Sequence, residues 1–282
     1  MTDASDERGQ QRDRWEASAP GWDKREAAVS AAGADVARWL VDAAELSEGN
    51  RVLEVAAGLG EVGLMAAERV GPSGEAWITD GAEGMVEAAV RRAAASGLTQ
   101  VKVAHMEAEW LDAETASFDA VISRWGYMLV VDPEAALREA RRVLAGGGRI
   151  ALAAWTAIEE NPWMSIPRRE FEQRGLVSPP RPDAPDPFRF AAEGRIAELL
   201  LGAGFLDVRV EAIDLFWPAA DLDDWWEHMR AVSSMVGKAA VQLTPAEHYE
   251  LRETLDQQFA QFVTADGTVQ VPGRTWVARA EV

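Results

Sequence analysis

The chain has 282 residues, which predicts one enlarged domain or one domain plus a small cap, and 48% of them are apolar, which is enough for a sizeable buried core. Lys and Arg total 28 whereas Asp and Glu total 47, and the resulting net charge of −19 disfavours binding to nucleic acid or to anionic membrane surfaces. The absence of cysteine excludes disulfides, thiolate nucleophiles and cysteine-ligated metals.

Metal, membrane and export signals are also missing from the sequence. The three histidines, His105, His228 and His248, show no metal-ligand spacing, so we expect no bound metal. There is no run of about 18 apolar residues, as a membrane-spanning helix would need. The N-terminal sequence is polar and of mixed charge, unlike a secretory signal peptide. We therefore expect a soluble, cytoplasmic protein.

The N-terminal region predicts helices. The first 13 residues are polar, and we expect them to be frayed. Apolar residues at helical spacing then run from Arg14 to Leu46, and Pro20 followed by Gly21 is expected to divide this stretch into two helices.

Residues 51–156 alternate between short apolar runs and amphipathic segments. The predicted strands are Arg51–Ala56, Glu75–Thr79, Gln100–His105, Phe118–Ser123 and Gly148–Trp155. The predicted helices are Glu61–Val70, Glu83–Ser96 and Pro133–Leu144. Such alternation predicts an α/β fold in which helices cover both faces of a parallel sheet.

The rest of the chain departs from this alternation. The proline-rich stretch 179–187 excludes regular helix or strand. Further elements are expected at Ala191–Leu201, Phe205–Phe216, Leu222–Val236, Pro245–Val263 and Thr268–Ala280, of which the second and last are strands. The predicted parts are a helical cap (1–50), a core (51–156), a lid insertion (157–190), a core helix and strand (191–217), a second helical cap (218–267) and a last core strand (268–282).

A glycine-rich turn is the strongest functional signal. Gly58 and Gly60 follow a buried strand and open a helix, so the backbone there can approach a ligand closely. Asp80 ends the next strand, and ligands of open parallel sheets bind outside the carboxyl ends of the strands. A carboxylate in that crevice can accept hydrogen bonds from a ribose diol. The segment Gly58–Gly63 also satisfies the dinucleotide pattern, so these residues leave a nicotinamide cofactor open.

Five segments, in this order, carry a more specific resemblance. They are Glu54–Gly60, Asp80–Met85, Met106–Leu111, Phe118–Ser123 and Arg142–Arg149. The sequence resembles the class I S-adenosylmethionine (SAM)-dependent methyltransferases and is similar to their ubiquinone/menaquinone-biosynthesis-like group. The resemblance implies a doubly wound, mostly parallel seven-stranded sheet with helical cap insertions, and SAM as the cofactor. Two positions depart from the family pattern, since Ala56 replaces its first glycine and Glu107 its usual aspartate.

The resemblance also implies roles for residues in the cofactor site. Glu54 would orient the SAM amino group, and Asp80 would hold the ribose hydroxyls. The adenine would meet Glu107 and the Ala108 amide, with Met85 packed on its ring. The methionine portion would be bordered by Ala56, Gly58, Gly60 and Ser123, with Arg124 beside them.

Aromatic residues dominate the segments that are expected to build the acceptor pocket, which suggests a small, aromatic or apolar acceptor. The candidate substrate-binding residues are Trp22, Arg124, Trp125, Tyr127, Trp155, Trp163 and Trp226. His228 is the best candidate for a general base, because an imidazole titrates near neutral pH, and Tyr127 is a second. The helical spacing of Trp225, Trp226 and Met229 favours core packing for these three residues, which is the alternative for Trp226.

The leading hypothesis is a methyltransferase of small molecules in secondary metabolism, acting on O, N or C by in-line displacement, mainly through proximity and orientation. The net charge of −19 opposes an RNA methyltransferase. Three competing hypotheses are a protein methyltransferase, a nicotinamide dehydrogenase and a SAM-binding protein without turnover. The departure from the family pattern at Ala56 keeps the last of these three open.

Overall fold

A seven-stranded sheet forms the centre of the computed structural model, which describes residues 4–179, 181 and 184–282. Its strands are β1 (Arg51–Val55), β2 (Glu75–Asp80), β3 (Val101–His105), β4 (Phe118–Arg124), β5 (Leu144–Trp155), β6 (Leu206–Ala219) and β7 (Val269–Glu281). Their order across the sheet is β3-β2-β1-β4-β5-β7-β6, and β7 runs antiparallel to both of its neighbours. The predicted α/β class with a mostly parallel seven-stranded sheet is confirmed.

Helices lie before, between and after the strands. They are α1 (Ala4–Lys24), α2 (Glu26–Ala43), α3 (Glu61–Val70), α4 (Glu83–Ser96), α5 (Pro133–Val143), α6 (Pro162–Gln173), α7 (Arg195–Gly202), α8 (Leu222–Val232), α9 (Ser234–Ala240) and α10 (Pro245–Phe259). Among the described residues, none of these helices combines the length and the apolar character needed to cross a lipid bilayer.

The centre of the sheet positions the functional site. Leu53 in β1 pairs with Trp77 of β2 on one side and with Val121 of β4 on the other. All but the first residue of β1 are buried, which accounts for the apolar side chains of Val52, Leu53 and Val55. The strand order reverses between β1 and β4, and this switch point is where open parallel sheets bind their ligands.

The prediction of a frayed N-terminus is wrong for residues 4–13, which are the first part of α1, and residues 1–3 lie outside the described residues. Two ion pairs attach this polar segment to the core, namely Arg8–Glu109 and Arg12–Glu107, each with an N–O distance of 3.2 Å. The predicted break at Pro20 is also misplaced, because α1 continues through it and ends at Lys24. Ion pairs between residues so far apart in the chain leave no local pattern in the sequence.

Several boundaries differ in the second half of the chain. The predicted helix Leu222–Val236 is two helices, because the Ser233 hydroxyl between them accepts the N–H of Val236 and so begins α9. The segment predicted to be a lid contains α6, which begins at a proline in its first turn. Described parts of the stretch 179–187 are irregular as predicted, while Pro180, Pro182 and Asp183 lie outside the described residues.

Candidate cofactor and acceptor sites

A cleft of about 1090 Å³ opens at the carboxyl ends of β1, β2, β3 and β4. Its floor consists of the segments that follow these strands, residues 56–59, 80–82, 106–109 and 124–126. Helix α1 covers it with Gln11, Trp15 and Trp22, so the N-terminal helix forms part of the site.

The turn after β1 is held by hydrogen bonds to β2. The Ala57 N–H donates to the Thr79 carbonyl over 2.9 Å, and the Gly58 N–H donates to Asp80 Oδ2 over 2.8 Å. Gly58 has a φ of +56°, which favours glycine, and an added Cβ would meet nothing within 4 Å. The side of Gly58 on which a side chain would stand is therefore open to a ligand.

Ala56 adopts the left-handed backbone conformation, with a φ of +51°, at the position where the family pattern has glycine. Trp125, at the end of the neighbouring strand β4, does the same with a φ of +61°. For residues with a side chain this conformation costs about 1–2 kcal/mol. Both residues line the cleft, and strain of this kind concentrates at binding sites. The turn therefore has an αL conformation at Ala56, one that glycine adopts without this strain.

Asp80 lies in the cleft with its carboxylate held by two backbone groups. Oδ2 accepts from Gly58, and Oδ1 accepts from the Ala82 N–H over 2.9 Å. Burial raises the pKa of Asp80, while these two hydrogen bonds lower it. A carboxylate has about four acceptor sites, so two donors leave capacity for the hydroxyls of a ribose.

Glu54 lies behind the turn and does not line the cleft. It is 2% exposed, and its Oε2 accepts the Gly63 N–H at the start of α3 over 2.8 Å. Burial raises the pKa of Glu54 from 4.5 to about 8, although the Gly63 hydrogen bond and the charge of Arg124 act in the opposite direction. An added Cβ at Gly63 would stand 2.6 Å from Glu54 Oε2, so this glycine permits the close approach of α3 to β1.

The predicted adenine-binding residues Met85, Glu107 and Ala108 all line the cleft. Met85 is 2% exposed. Glu107 pairs with Arg12 of α1, which places a cation beside the predicted adenine contact. Sequence analysis missed this arginine, since its only signal was the mixed charge of the N-terminal segment. The other two predicted cofactor residues, Gly60 and Ser123, do not line the cleft.

Arg124, predicted both beside the methionine portion and as an acceptor-binding residue, lines this cleft and does not line the second cavity described below. Its Nη2 is 2.7 Å from Glu61 Oε2, and both side chains are largely buried. A Cβ on Gly33 of α2 would overlap the Arg124 guanidinium, so this glycine makes room for it. The pair brings one positive and one negative group to the end of the cleft next to the switch point.

A second cavity, of about 1080 Å³, adjoins the first. The two cavities share the lining residues Gln11, Trp15, Trp22, Trp125 and Leu129. Four predicted residues, Trp22, Trp125, Trp155 and Trp163, line the second cavity together with His228. A molecule bound there would be next to a molecule bound in the first cleft. We call the second space the acceptor cavity.

Tryptophans form one continuous wall of the acceptor cavity. The rings of Trp125 and Trp155 stack with centroids 4.3 Å apart, and Trp163 follows at 4.9 Å from Trp155. Trp217 of β6, which sequence analysis did not single out, joins at 5.6 Å from Trp163. Its position near the end of β6 gave no local sign of this role, because only the order of the strands in the sheet brings the end of β6 to the cavity.

Two polar side chains orient these rings from behind. The Trp125 Nε1–H donates to Thr275 Oγ1 over 3.0 Å, and the Trp163 Nε1–H donates to Asn161 Oδ1 over 2.9 Å. Thr275 and Asn161 are fully buried. With these indole nitrogens already paired, the two residues contribute ring faces and edges to the cavity and no free donor.

His228 lines the acceptor cavity and is 2% exposed. Burial, with a further contribution from the charge of Arg25, lowers the pKa of His228 from 6.5 to about 4, although Asp224 raises it. The imidazole is therefore neutral at pH 7, with one nitrogen available as a hydrogen-bond acceptor.

Tyr127 and Trp226 line neither cavity. Tyr127 is 2% exposed, burial raises its pKa, and its hydroxyl has no partner within the described part of the chain. Trp226 turns toward His248, with ring centroids 5.4 Å apart. The helical position of Trp226 on α8 thus places it on a different side from Trp225 and His228.

Comparisons with known proteins agree with this fold. The sequence profile of a methyltransferase domain matches residues 52–148. The YcgJ protein of Bacillus subtilis, of known crystal structure, superimposes with a TM-score of 0.58 at 18% identity, covering 87% of this chain and 97% of that one. At that identity the likeness concerns the fold, which is that of the methyltransferase domain.

Two curated relatives define the family more closely. The nocamycin O-methyltransferase of Saccharothrix syringae is 32% identical over 204 residues, which are 68% of this chain and 72% of the relative. The ubiquinone/menaquinone biosynthesis C-methyltransferase of Bordetella parapertussis is 34% identical over 120 residues, 43% of this chain and 46% of the relative. This match therefore spans about half the length of that relative. The chain belongs to the class I SAM-dependent methyltransferases, in the group similar to the ubiquinone/menaquinone enzymes.

Proposed function

We propose that the protein transfers a methyl group from SAM to a small, aromatic or apolar acceptor. The observation that carries the proposal is the shared wall of the two cavities, in which Trp125 and four other residues border both spaces. Two reactants held in adjacent spaces react as if at high effective concentration. This adjacency favours group transfer between two bound molecules over simple cofactor storage.

The residues of the first cleft suit SAM. Asp80 offers acceptor sites to ribose hydroxyls, Glu107 and Ala108 stand where the adenine edge is expected, and Arg124 and Glu61 provide opposite charges for the amino-acid end. When bound, SAM supplies a methyl group on a cationic sulfur. The electron-rich rings of Trp15, Trp22 and Trp125 line both cavities and favour a cation between them.

The proposed reaction is an in-line displacement accelerated mainly by proximity, orientation and exclusion of water. His228 is a weak base, because its pKa of about 4 lies far below that of a phenol or an amine. We therefore assign His228 to acceptor binding ahead of proton removal. We also propose that α1 and the segments 157–190 and 218–267 act as caps that keep water from the two cavities.

The test combines cofactor binding and turnover. Calorimetry with S-adenosylhomocysteine, the demethylated product, is expected to show one site per chain. Radiolabelled SAM is then offered with a panel of phenols, aryl amines, hydroxyquinones and polyketide-like ketones, and label is expected in at least one product. Binding without transfer to any acceptor would favour a SAM-binding protein without turnover. Label in total RNA or protein would instead favour a macromolecular substrate.

A position in secondary metabolism is the finer part of this proposal. The name of one relative states that it methylates nocamycin on oxygen, and this match extends over 68% of the chain. A cavity walled by indole rings favours a polycyclic or aromatic natural product. Transfer to hydroxyls in the panel above, with none to ring carbons, would favour O-methylation.

A further inference from the structure

The acceptor cavity carries an excess of positive charge. Within the described part of the chain, the charged residues that line it are Arg14 of α1, Arg168 of α6 and Asp186, which are two cations and one anion. His228 adds no charge, because its pKa of about 4 leaves the imidazole neutral at pH 7. The whole chain has a net charge of −19, so the cavity differs in sign from the protein around it. Such a local charge favours an anionic ligand.

Arg168 is held in place and still has free donors. Its Nη2 donates to Asp186 Oδ2 over 2.7 Å, and the two side chains are 16% and 15% exposed. Nε and Nη1 of Arg168 have no hydrogen-bond partner among the described residues, yet they are not among the nitrogens that the protein seals from water. A guanidinium presents five N–H donors in a rigid fork, so several donors of Arg168 remain accessible to a ligand.

Arg168 lies close to the tryptophan wall of the cavity. It follows Met164, another lining residue, by four positions in α6, so both side chains leave the helix on the same face. The guanidinium carbon of Arg168 is 5.6 Å from the centre of the Phe188 ring, and that ring is 6.1 Å from the ring of Trp163. A planar ligand packed against Trp163 would therefore extend toward the guanidinium with one of its edges.

The second cation of the cavity, Arg14, has no counter-charge. Arg8, Arg12 and Arg124 of the neighbouring cleft each pair with a glutamate. The Arg14 side chain is exposed, and it forms neither a hydrogen bond nor an ion pair with any residue that the structure describes. The positive charge of Arg14 is therefore not cancelled by a neighbour.

We propose that the acceptor is a planar aromatic molecule with a carboxylate and that Arg168 binds this carboxylate. The inference rests on the proposed function, because it places the acceptor in this cavity. A guanidinium matches a carboxylate in geometry and forms short, charge-assisted hydrogen bonds with it. A single excess positive charge suits a monoanion, whereas Asp186 would repel a doubly charged phosphate.

The place of Arg168 gives the carboxylate an orienting role. Arg168 lines the acceptor cavity but not the cofactor cleft, whereas Trp125 lines both. A carboxylate bound at Arg168 would thus lie away from the cofactor, and the atom that accepts the methyl group would be elsewhere on the ring system. The ion pair would then fix the orientation of the acceptor, which is a main source of acceleration in a displacement between two bound molecules.

A matched pair of ligands isolates the charge. Naphthoate and naphthamide, substituted at the same ring position, share a planar ring system and differ in having a carboxylate or a neutral carboxamide. Their binding to the full-length protein is measured by isothermal calorimetry with the cofactor cleft saturated by S-adenosylhomocysteine, so that only the acceptor cavity is open to them. Because a hydrogen bond to a charged group is worth about a factor of ten or more, naphthoate is expected to bind at least about tenfold more tightly.

Variants of the ion pair change this preference in opposite directions. R168Q removes the cation and is expected to abolish the preference for naphthoate. D186N removes the competing carboxylate but keeps an oxygen for the Phe188 N–H, so the preference should increase by about threefold or more. If the pair were only structural, neither variant would change the ratio of the two affinities. R138Q should keep the wild-type ratio, because Arg138 is 57% exposed on α5 and lines neither cavity.

Each outcome decides the question. Equal affinities of the wild type for the two ligands, or no measurable binding of naphthoate, would overturn the proposal without any variant. A preference that R168Q retains, or that D186N does not raise, would also overturn it, because the carboxylate would then bind elsewhere. Circular dichroism establishes which variants are folded, and D186N tests the assignment independently of R168Q. Failure of S-adenosylhomocysteine to bind would instead overturn the proposed function, and this inference with it.

Discussion

The protonation of Glu54 makes the stability of the protein depend on pH in a direction opposite to that of most carboxylates. In the unfolded chain the carboxyl titrates near 4.5, whereas burial raises the pKa in the folded chain to about 8. Between these values the folded state holds a proton that the unfolded state has lost. The stabilising contribution is therefore complete below pH 4.5 and is lost as the pH rises through 8.

The size of the effect follows from the two pKa values. Each unit of difference corresponds to about 1.4 kcal/mol, so the loss grows by about 3 kcal/mol between pH 5.5 and pH 8.5. Replacing Glu54 by glutamine removes the titration but keeps an oxygen that can accept from Gly63. The free energy of unfolding of E54Q minus that of the wild type should thus increase by about 3 kcal/mol between these pH values.

Urea unfolding without ligand, followed by circular dichroism at pH 5.5 and pH 8.5, measures this difference. E134Q is the matched control, since Glu134 lies on the surface of α5 with a side chain that is 63% exposed. Its difference from the wild type should be the same at both pH values. If the difference for E54Q is also independent of pH, Glu54 is ionised in the folded protein and Arg124 compensates its charge more strongly than its burial opposes it.

Three further changes test the site. D80A should weaken the binding of S-adenosylhomocysteine at least about tenfold in calorimetry, because it removes a charged acceptor for the ribose hydroxyls. An unchanged affinity would contradict the proposed contact between Asp80 and the ribose. A56G should raise the free energy of unfolding by up to about 1 kcal/mol in urea titrations. The reason is that glycine relieves the backbone strain at a φ of +51°, and this gain exceeds the cost of the entropy that glycine adds to the unfolded chain. A lower free energy of unfolding for A56G would contradict that strain. The pKa of His228 is lower in the folded than in the unfolded chain, so lowering the pH from 7 to 4.5 should cost the wild type about 2–3 kcal/mol of stability. H228N should not show this loss. If the stability of the two proteins changes with pH in parallel, His228 is not buried as a neutral ring.

The residues that line the first cleft were largely predictable from the sequence. The turn after β1 needs residues that tolerate a positive φ, and glycines at positions 58 and 60 reveal it locally. Asp80 was predictable because it ends the strand that follows, and parallel pairing of β1 with β2 brings the two strand ends together. The family resemblance then distinguished SAM from a nicotinamide cofactor, which the glycine pattern did not.

The lining of the second cavity was predictable in its composition but not in the arrangement of its residues. Twelve tryptophans indicated an aromatic pocket, yet their spacing did not show which rings face the cavity. Trp217 was overlooked and Trp226 was included, because the orientation of each depends on packing between elements that are distant in the chain. Similarly, Arg124 was expected both beside the methionine portion and near the acceptor, whereas it lines only the first of the two cavities, where it pairs with Glu61.

The sequence by itself determined the α/β class, the approximate positions of the strands and the glycine-rich turn at the cofactor cleft. These features depend on the period of apolar residues and on backbone conformations that only certain residues adopt, and both are local properties. Only the tertiary structure decided that α1 covers the cleft, that His228 is neutral and that Trp217 joins the acceptor cavity. Each of these depends on contacts between residues far apart in the chain, such as Arg8 with Glu109 and Trp22 with Val232, which carry no local pattern.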